Sequence, residues 1–290
     1  MFRICRSSLR IPLVFLLLPA FTLSDFFNGG SSNTVEETEW FDLSYPLDED
    51  TVFFPGQMYE QFNLTQDIKG FNQTSSGNFP FWYATFSFCM SEHGGTHVDA
   101  PYHFNKLGWK LGEIPLKRMV DVPATIIDVE RDVFVLKHPD EFALEVKHVL
   151  EHEAKFGQIL TGSVILVRTG LSGAAADWLV RERHIYGIGI DAPGLDIGNN
   201  KGNPVAHIVT LGAQVYNIEN VANLDYLIKK TRKQTPFGGT LSNCNLRLFV
   251  LPSRLSGTGG PARVLAHCKP GFASTGVPAM PLNPNQFGQF

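Results

Sequence analysis

The longest apolar run in this 290-residue chain, IPLVFLLLPAF at residues 11–21, holds only 11 residues. A membrane-spanning helix needs roughly 20, so the run is too short to be one. Positive charge is scarce as well: 24 Lys and Arg stand against 28 Asp and Glu, a formal net charge of -4. That balance lacks the basic excess of a nucleic-acid-binding surface. Cysteine is limited to four residues, and no internal repeat is apparent. What the chain does have is 43% hydrophobic residues, enough for one sizeable α/β core, and a single domain of about 250 residues is within the usual range.

The apolar run follows Arg3, Arg6 and Arg10 and gives way to small and polar residues up to Ser24. This is the pattern of a secretory signal. Residues 1–24 are therefore expected to be a signal peptide, with cleavage between Ala20 and Ser24, and the mature protein to be secreted, with no membrane contact. Residues 25–39 read as a flexible N-terminal segment, 40–268 as the domain, and 269–290 as an irregular Pro/Asn/Gly-rich tail. Loss of three arginines moves the mature charge to about -7. Two sequons, at Asn63 and Asn72, lie in a polar, aromatic-dotted segment that reads as a surface loop open to glycosylation. Of the three cysteines left, Cys244 and Cys268 bracket two apolar runs joined by a Gly/Pro-rich turn. They are expected to be bonded to each other, with Cys89 a thiol buried as a small hydrophobe.

Between these landmarks the chain alternates. VPATIIDV (122–129), SVILVRT (163–169) and YGIGID (186–191) are continuous, β-branched and strand-like. A helix is expected to start near Pro139 and Asp140, run through EFALEVKHVLEHEAKF and stop at Gly157. NVANLDYLIKK (220–230) suggests another, with Asn220 as its cap.

One short stretch carries most of the chemistry. HGGTHVDAPYHF, residues 93–104, gathers His93, His97, Asp99 and His103 around two glycines and a proline. His93 and His97 have the spacing of a helical zinc-protease motif, but Gly94 stands where that motif needs its glutamate, and Gly94, Gly95 and Pro101 make a regular helix costly. Positions 93, 97, 99 and 103 share parity, so an extended chain presents them to one side, and the glycines let backbone approach an ion. His148 and His152 read instead as a solvated helix face, and His138, His184 and His267 as structural.

HGGTHVDAPYHF resembles the signature of the metal-dependent cyclase family, H-x-G-T-H-x-D-x-P-x-H, whose members include bacterial kynurenine formamidases and isatin hydrolases. FFPG (53–56), GSVILVRTG (162–170), GIDAP (189–193) and AHIVTLGAQVYNIENVANLDYL (206–227) are similar to further segments of that family, in order, from Trp40 to about Ala266. The resemblance implies an α/β fold, a compact domain with a mixed central β-sheet and surrounding helices (swivelling β/β/α), assembled as a homodimer or higher homo-oligomer. It implies His93, His97, Asp99, His207 and Glu219 as metal ligands, with Asp99 and Glu219 able to bridge two ions, and His103 as the catalytic acid/base. Phe54 stands where the family's substrate-facing Trp is expected, Gly94 where Thr is frequent, and residues 57–82 are longer and more polar than usual.

Imidazole and carboxylate donors without thiolate suit Zn(II) or Mn(II), one or two ions. Such an ion lowers the pKa of water to about 7 and polarises a carbonyl. The expected activity is hydrolysis of a small aromatic amide, most like an arylformamidase that converts N-formylkynurenine to kynurenine and formate in tryptophan catabolism. An isatin-hydrolase-like opening of a cyclic amide and a secreted binding protein without turnover are the alternatives.

Overall fold

A computed structural model describes residues 39–270 apart from 57, 58, 78, 130, 131, 134–140, 169, 199, 235–239 and 243. The expected signal, N-terminal segment and tail thus lie almost wholly outside the described residues, as do His138, Pro139 and Asp140. In chain order, β1 (Glu39–Asp42) precedes a hairpin of β2 (Asn63–Gln73) and β3 (Pro80–Cys89), then the three-residue β4 (His97–Asp99) and β5 (Val122–Asp128). Helix α1 (Val146–Phe156), β6 (Val164–Arg168), α2 (Gly173–Trp178), β7 (Gly187–Ile190), α3 (Val205–Gly212), β8 (Tyr216–Glu219) and α4 (Leu224–Thr231) follow. A small ladder of β9 (Arg232–Gln234) and β10 (Thr240–Ser242) leads into the long pair β11 (Cys244–Pro252) and β12 (Gly259–Pro270).

The three buried runs read from the sequence are β5, β6 and β7, side by side and parallel, with β8 parallel beside β7. Helical crossovers cover such strands on the outside, so they are apolar on both faces. Val164 and Leu166 join one core with Val98, Ile126 and Ile218, while Ile165 and Val167 join the other with Val149, Ala175 and Leu179. The sheet does not stop at its edges. Its order is β1-β12-β11-β5-β6-β7-β8-β4, and β4 pairs back onto β12, so seven strands close into a barrel-like ring with β1 added outside it. Closure leaves β4 without a free edge.

Several sequence expectations need correction. The segment around the sequons is not a loop: β2 and β3 pair from Asn63↔Cys89 to Gln73↔Pro80, with an irregularity between Gln66 and Ile68. Asn63 and Asn72 remain exposed, as do Leu64, Phe71, Trp82 and Phe88. Cross-strand partners such as Phe71 and Trp82 replace the core contact that an apolar strand usually seeks. Helix α1 starts at Val146, where Glu145 and His148 form a reciprocal cap: the Glu145 N–H donates to His148 Nδ1 at 2.9 Å. His148 is therefore buried and not on a solvated face. The helix does end at Gly157, whose φ of 92° suits glycine.

Asn220 caps no helix. It has a φ of 52°, and α4 begins four residues later at Leu224. Among the cysteines, Cys89 is a thiol, half-buried rather than buried because it ends the exposed strand β3, and Cys268 is disulfide-bonded. The β11–β12 register sets Cys244 against Pro270 and Leu246 against Cys268; the Cys244 side chain lies outside the described residues.

Candidate metal centre

Strand β4 is placed by its neighbours. It is antiparallel to β8 on one side, which sets His97 opposite Glu219, and to β12 on the other, which sets Asp99 opposite Gly259. Pairing alone therefore brings a histidine and a glutamate 122 residues apart in sequence to adjacent positions. The chain enters β4 through Gly94 and Gly95. A Cβ at Gly94 would lie 2.3 Å from the Phe53 ring, and Gly95 has a φ of 59°. It leaves through Pro101, which opens the 3-10 turn Pro101–His103. The shared-parity expectation thus holds along β4 only; His93 and His103 come back to the site from the flanking turns, and their rings stack at 4.2 Å. Asn220 secures this corner, its Nδ2 donating to the Gly95 carbonyl at 2.9 Å while the Thr96 hydroxyl donates to the Asn220 carbonyl at 2.6 Å.

The two carboxylates straddle the imidazoles. Asp99 Oδ1 lies 2.7 Å from His93 Nδ1 and 3.3 Å from His97 Nε2, while Oδ2 lies 3.4 Å from His207 Nε2. Glu219 repeats the pattern, with Oε2 at 3.5 Å from His97 Nε2 and Oε1 at 3.0 Å from His207 Nε2. On the outer side, His97 Nδ1 faces the Gly95 carbonyl at 2.9 Å and His207 Nδ1 faces Asp196 Oδ2 at 2.6 Å. Both partners only accept, so each neutral imidazole carries its proton outside and aims its Nε2 lone pair at the carboxylates.

Lone pairs and carboxylate oxygens facing one another repel unless a cation or proton lies between them. His97 Nε2 and Asp99 Oδ2 are buried without any hydrogen-bond partner. Donors bound at about 2.0–2.1 Å in a tetrahedral shell lie ~3.3–3.4 Å apart, close to the 3.3, 3.4 and 3.5 Å separations here. His97, Asp99 and Glu219 form one group able to hold an ion, and His93, Asp99 and His103 another. The donor set fits divalent metal.

Without metal, protons must do this work. Burial opposes charge on His97, but the Asp99 carboxylate 3.3 Å from its Nε2 and the charge of Glu219 outweigh it and raise the imidazole to about 9. The same contest at His207, with Asp196, Asp99 and Glu219 as partners, ends at about 12. Burial also works against ionised Asp99, yet the three imidazoles around it, His207, His93 and His97, hold it well below the usual range. Burial and the charge of Asp99 push Glu219 up.

The sign of the His97 shift gives a measurable consequence. A folded pKa of about 9 against an ordinary 6.5 contributes stability that is complete below 6.5 and lost as pH rises through 9. Metal-free protein should therefore melt at progressively lower temperature across that window. Metal affinity should rise over the same window, because the ion displaces those protons. Thermal melts of chelated and metal-loaded protein across that pH range check both trends.

These groups lie at the floor of a cavity of about 640 Å³, whose walls include Phe54, Tyr59, Phe104, Phe142 and Pro193. His93, His97, Asp99, His103, His207, Glu219 and Phe54 all line it; the sequon asparagines and cysteines do not. Phe54 is 42% exposed, and its ring would meet a Cβ at Gly194 at 2.9 Å. His103 stands on the rim: burial draws its imidazole down to about 4, against the raising influence of Asp99. Tyr59 is pushed up by burial and by the charges of Glu219 and Asp99.

Asp196 was not anticipated. Its carboxylate accepts from Ala206 N at 2.7 Å as well as from His207 Nδ1, fixing both α3 and the imidazole. Lying 11 residues before His207 in a glycine-rich turn, it offers no sequence pattern to find it by. Asp196→Asn is expected to weaken metal affinity by about 10–100-fold, the usual cost of losing an outer partner of a ligating histidine. Chelator competition would check this, and unchanged affinity would separate Asp196 from the site.

The profile of the Cyclase family matches residues 41–197. The chain belongs to the Cyclase family. The match spans the HGGTHVDAPYHF segment and Asp196, so this cyclase-family chain carries that part of the centre inside the matched region. Among curated relatives, the kynurenine formamidase of Bacillus thuringiensis (strain Al Hakam) is 30% identical over 195 residues, covering 67% of this chain and 86% of the relative. That of Bacillus mycoides (strain KBAB4) is 28% identical over 196 residues, covering 67% and 87%. Among solved structures, isatin hydrolase A from Labrenzia aggregata, bound to benzyl benzoate, superposes with a TM-score of 0.64 at 26% identity, over 80% of this chain and 94% of that one.

Proposed function

We propose that this protein is a metal-dependent hydrolase of an aryl amide, acting as an arylformamidase that converts N-formylkynurenine to kynurenine and formate. The observation that carries the reading is the pair of carboxylates, Asp99 and Glu219, each with one oxygen toward His97 and the other toward His207. His93, His97, Asp99, His207 and Glu219 would hold one or two divalent ions, Zn(II) or Mn(II), since the donors are nitrogen and oxygen alone. When bound, such ions supply positive charge that acidifies water and polarises the scissile carbonyl.

The chain's own groups do the rest. His103, neutral at physiological pH with its imidazole lowered to about 4, can accept a proton from the attacking water and deliver it to the departing aniline nitrogen. Phe54, Tyr59 and Phe104 form apolar walls for an aromatic ring and narrow the access of bulk water. The relatives named kynurenine formamidase support the formamide substrate. The similarity to isatin hydrolase A supports a second reading, opening of a cyclic amide in the same cavity.

Hydrolysis of the two substrates by metal-loaded protein separates these readings. N-formylkynurenine is expected to have the higher kcat/KM, because a site with two ions favours a flexible amide that carries a carboxylate. Phe54→Ala should lower kcat/KM for both by about 2–10-fold, the worth of an aromatic contact. Faster turnover of isatin would favour the cyclic-amide reading, and no turnover of either with metal bound would favour a binding protein. Export, glycans on Asn63 and Asn72, a Cys244–Cys268 bridge and assembly as a homo-oligomer complete the proposal. They are supported by the N-terminal pattern, the exposure of both asparagines and the exposed aromatics of the β2–β3 hairpin.

A further inference from the structure

The turn SRLSGT, residues 253–258, links β11 to β12 and has no part in the chemistry above. Its Thr258 nevertheless reaches the centre. Thr258 N and Oγ1 lie 2.9 and 2.6 Å from Glu92 Oε2. A carboxylate only accepts, so both groups donate, and the single hydroxyl proton is committed to Glu92. The same oxygen lies 2.9 Å from His93 Nε2, where it can now only accept. His93 therefore carries its proton on Nε2, and Nδ1, which faces Asp99 Oδ1 at 2.7 Å across a contact that a proton holds without metal, is the nitrogen left to give a lone pair to an ion.

The residues on either side of Thr258 are shaped for this contact. A Cβ on Gly257 would lie 1.7 Å from Glu92 Oε1, and one on Gly259 would lie 2.6 Å from His93 Cε1. Both glycines leave room for the groups that converge on the hydroxyl. The turn is held against the site by Ala100 N, which donates to the Thr258 carbonyl at 2.8 Å.

We propose that Glu92 and Thr258 are a positioning pair that fixes His93 in its Nε2-protonated form and turns Nδ1 toward Asp99 as a metal donor, whereas His97 and His207 present Nε2. The inference rests on the metal-dependent reading above and adds residues to it. Without Glu92, the Thr258 hydroxyl is free to rotate and donate to Nε2, which moves the imidazole proton onto Nδ1 and blocks the donor. Glu92 acts only through Thr258, so the two should not contribute independently.

The test is made on the whole protein with zinc. Thr258→Val keeps the shape and removes the acceptor, and should weaken zinc binding by about 10–100-fold in chelator competition; Thr258→Ser should restore it. Glu92→Ala should weaken it in the same direction, and the double variant should be no weaker than Thr258→Val alone. Nitrogen-15 NMR of histidine-labelled, zinc-loaded wild type, with the His93 signals identified by their absence in His93→Gln, should show the proton on Nε2 and zinc on Nδ1. Zinc on His93 Nε2, wild-type affinity in Thr258→Val, or additive losses in the double variant would each overturn the pair. Because the NMR arm reads the wild-type centre, misfolding of Thr258→Val or Glu92→Ala leaves it decisive. Failure of wild type to bind any divalent ion would sink the functional reading and the pair together, whereas binding with His93 on Nε2 sinks the pair alone.

Discussion

Asp99→Ala should abolish both metal binding and catalysis. Asp99 is 1% exposed and has an oxygen toward each of His93, His97 and His207, so its removal takes a donor from both halves of the centre and leaves any two cations unshielded from each other. An ion contributes several kcal/mol of transition-state stabilisation, and kcat/KM should fall by on the order of 10³-fold or more. Metal analysis beside steady-state rates would check this. Full metal occupancy in the variant would count against Asp99 as a bridge.

His103→Ala should separate proton transfer from ligation. The ring lies against His93 at the rim, whereas the buried orphan atoms belong to His97 and Asp99. The variant is expected to keep most of its metal while kcat falls by about 10²–10⁴-fold, the usual worth of a positioned acid/base. His103 also belongs to a group with His93 and Asp99 that could hold an ion. Metal loss equal to that of Asp99→Ala would reassign it as a ligand.

How far the sequence revealed this protein followed the range of the interactions. His93, His97, Asp99 and His103 lie within 11 positions, with the glycines and proline that shape their turns beside them, so the motif was legible as a unit. Strands β5, β6 and β7 were legible because burial on both faces leaves an unbroken apolar run. Closure of the barrel was not, since it depends on three residues of β4 pairing with β12 some 160 positions away. Strand β2 of the hairpin was read as a loop because nearly all of its side chains face solvent, without the alternation that a core-facing strand shows. His148 was misplaced because its ring bonds back to the backbone at the helix start, a contact its spacing from His152 does not signal. Glu92 and Thr258, 166 positions apart, have no local pattern at all, and neither does the anchoring of Gly95 by Asn220.

The most direct measurement is kynurenine release from N-formylkynurenine by chelator-treated protein during titration with Zn(II) or Mn(II), with bound metal counted in parallel. The arrangement of His93, His97, Asp99, His207 and Glu219 predicts negligible turnover without metal and a rate that rises with occupancy of the site. Undiminished turnover by metal-free protein, or a fully occupied site that leaves the formamide intact, would contradict it.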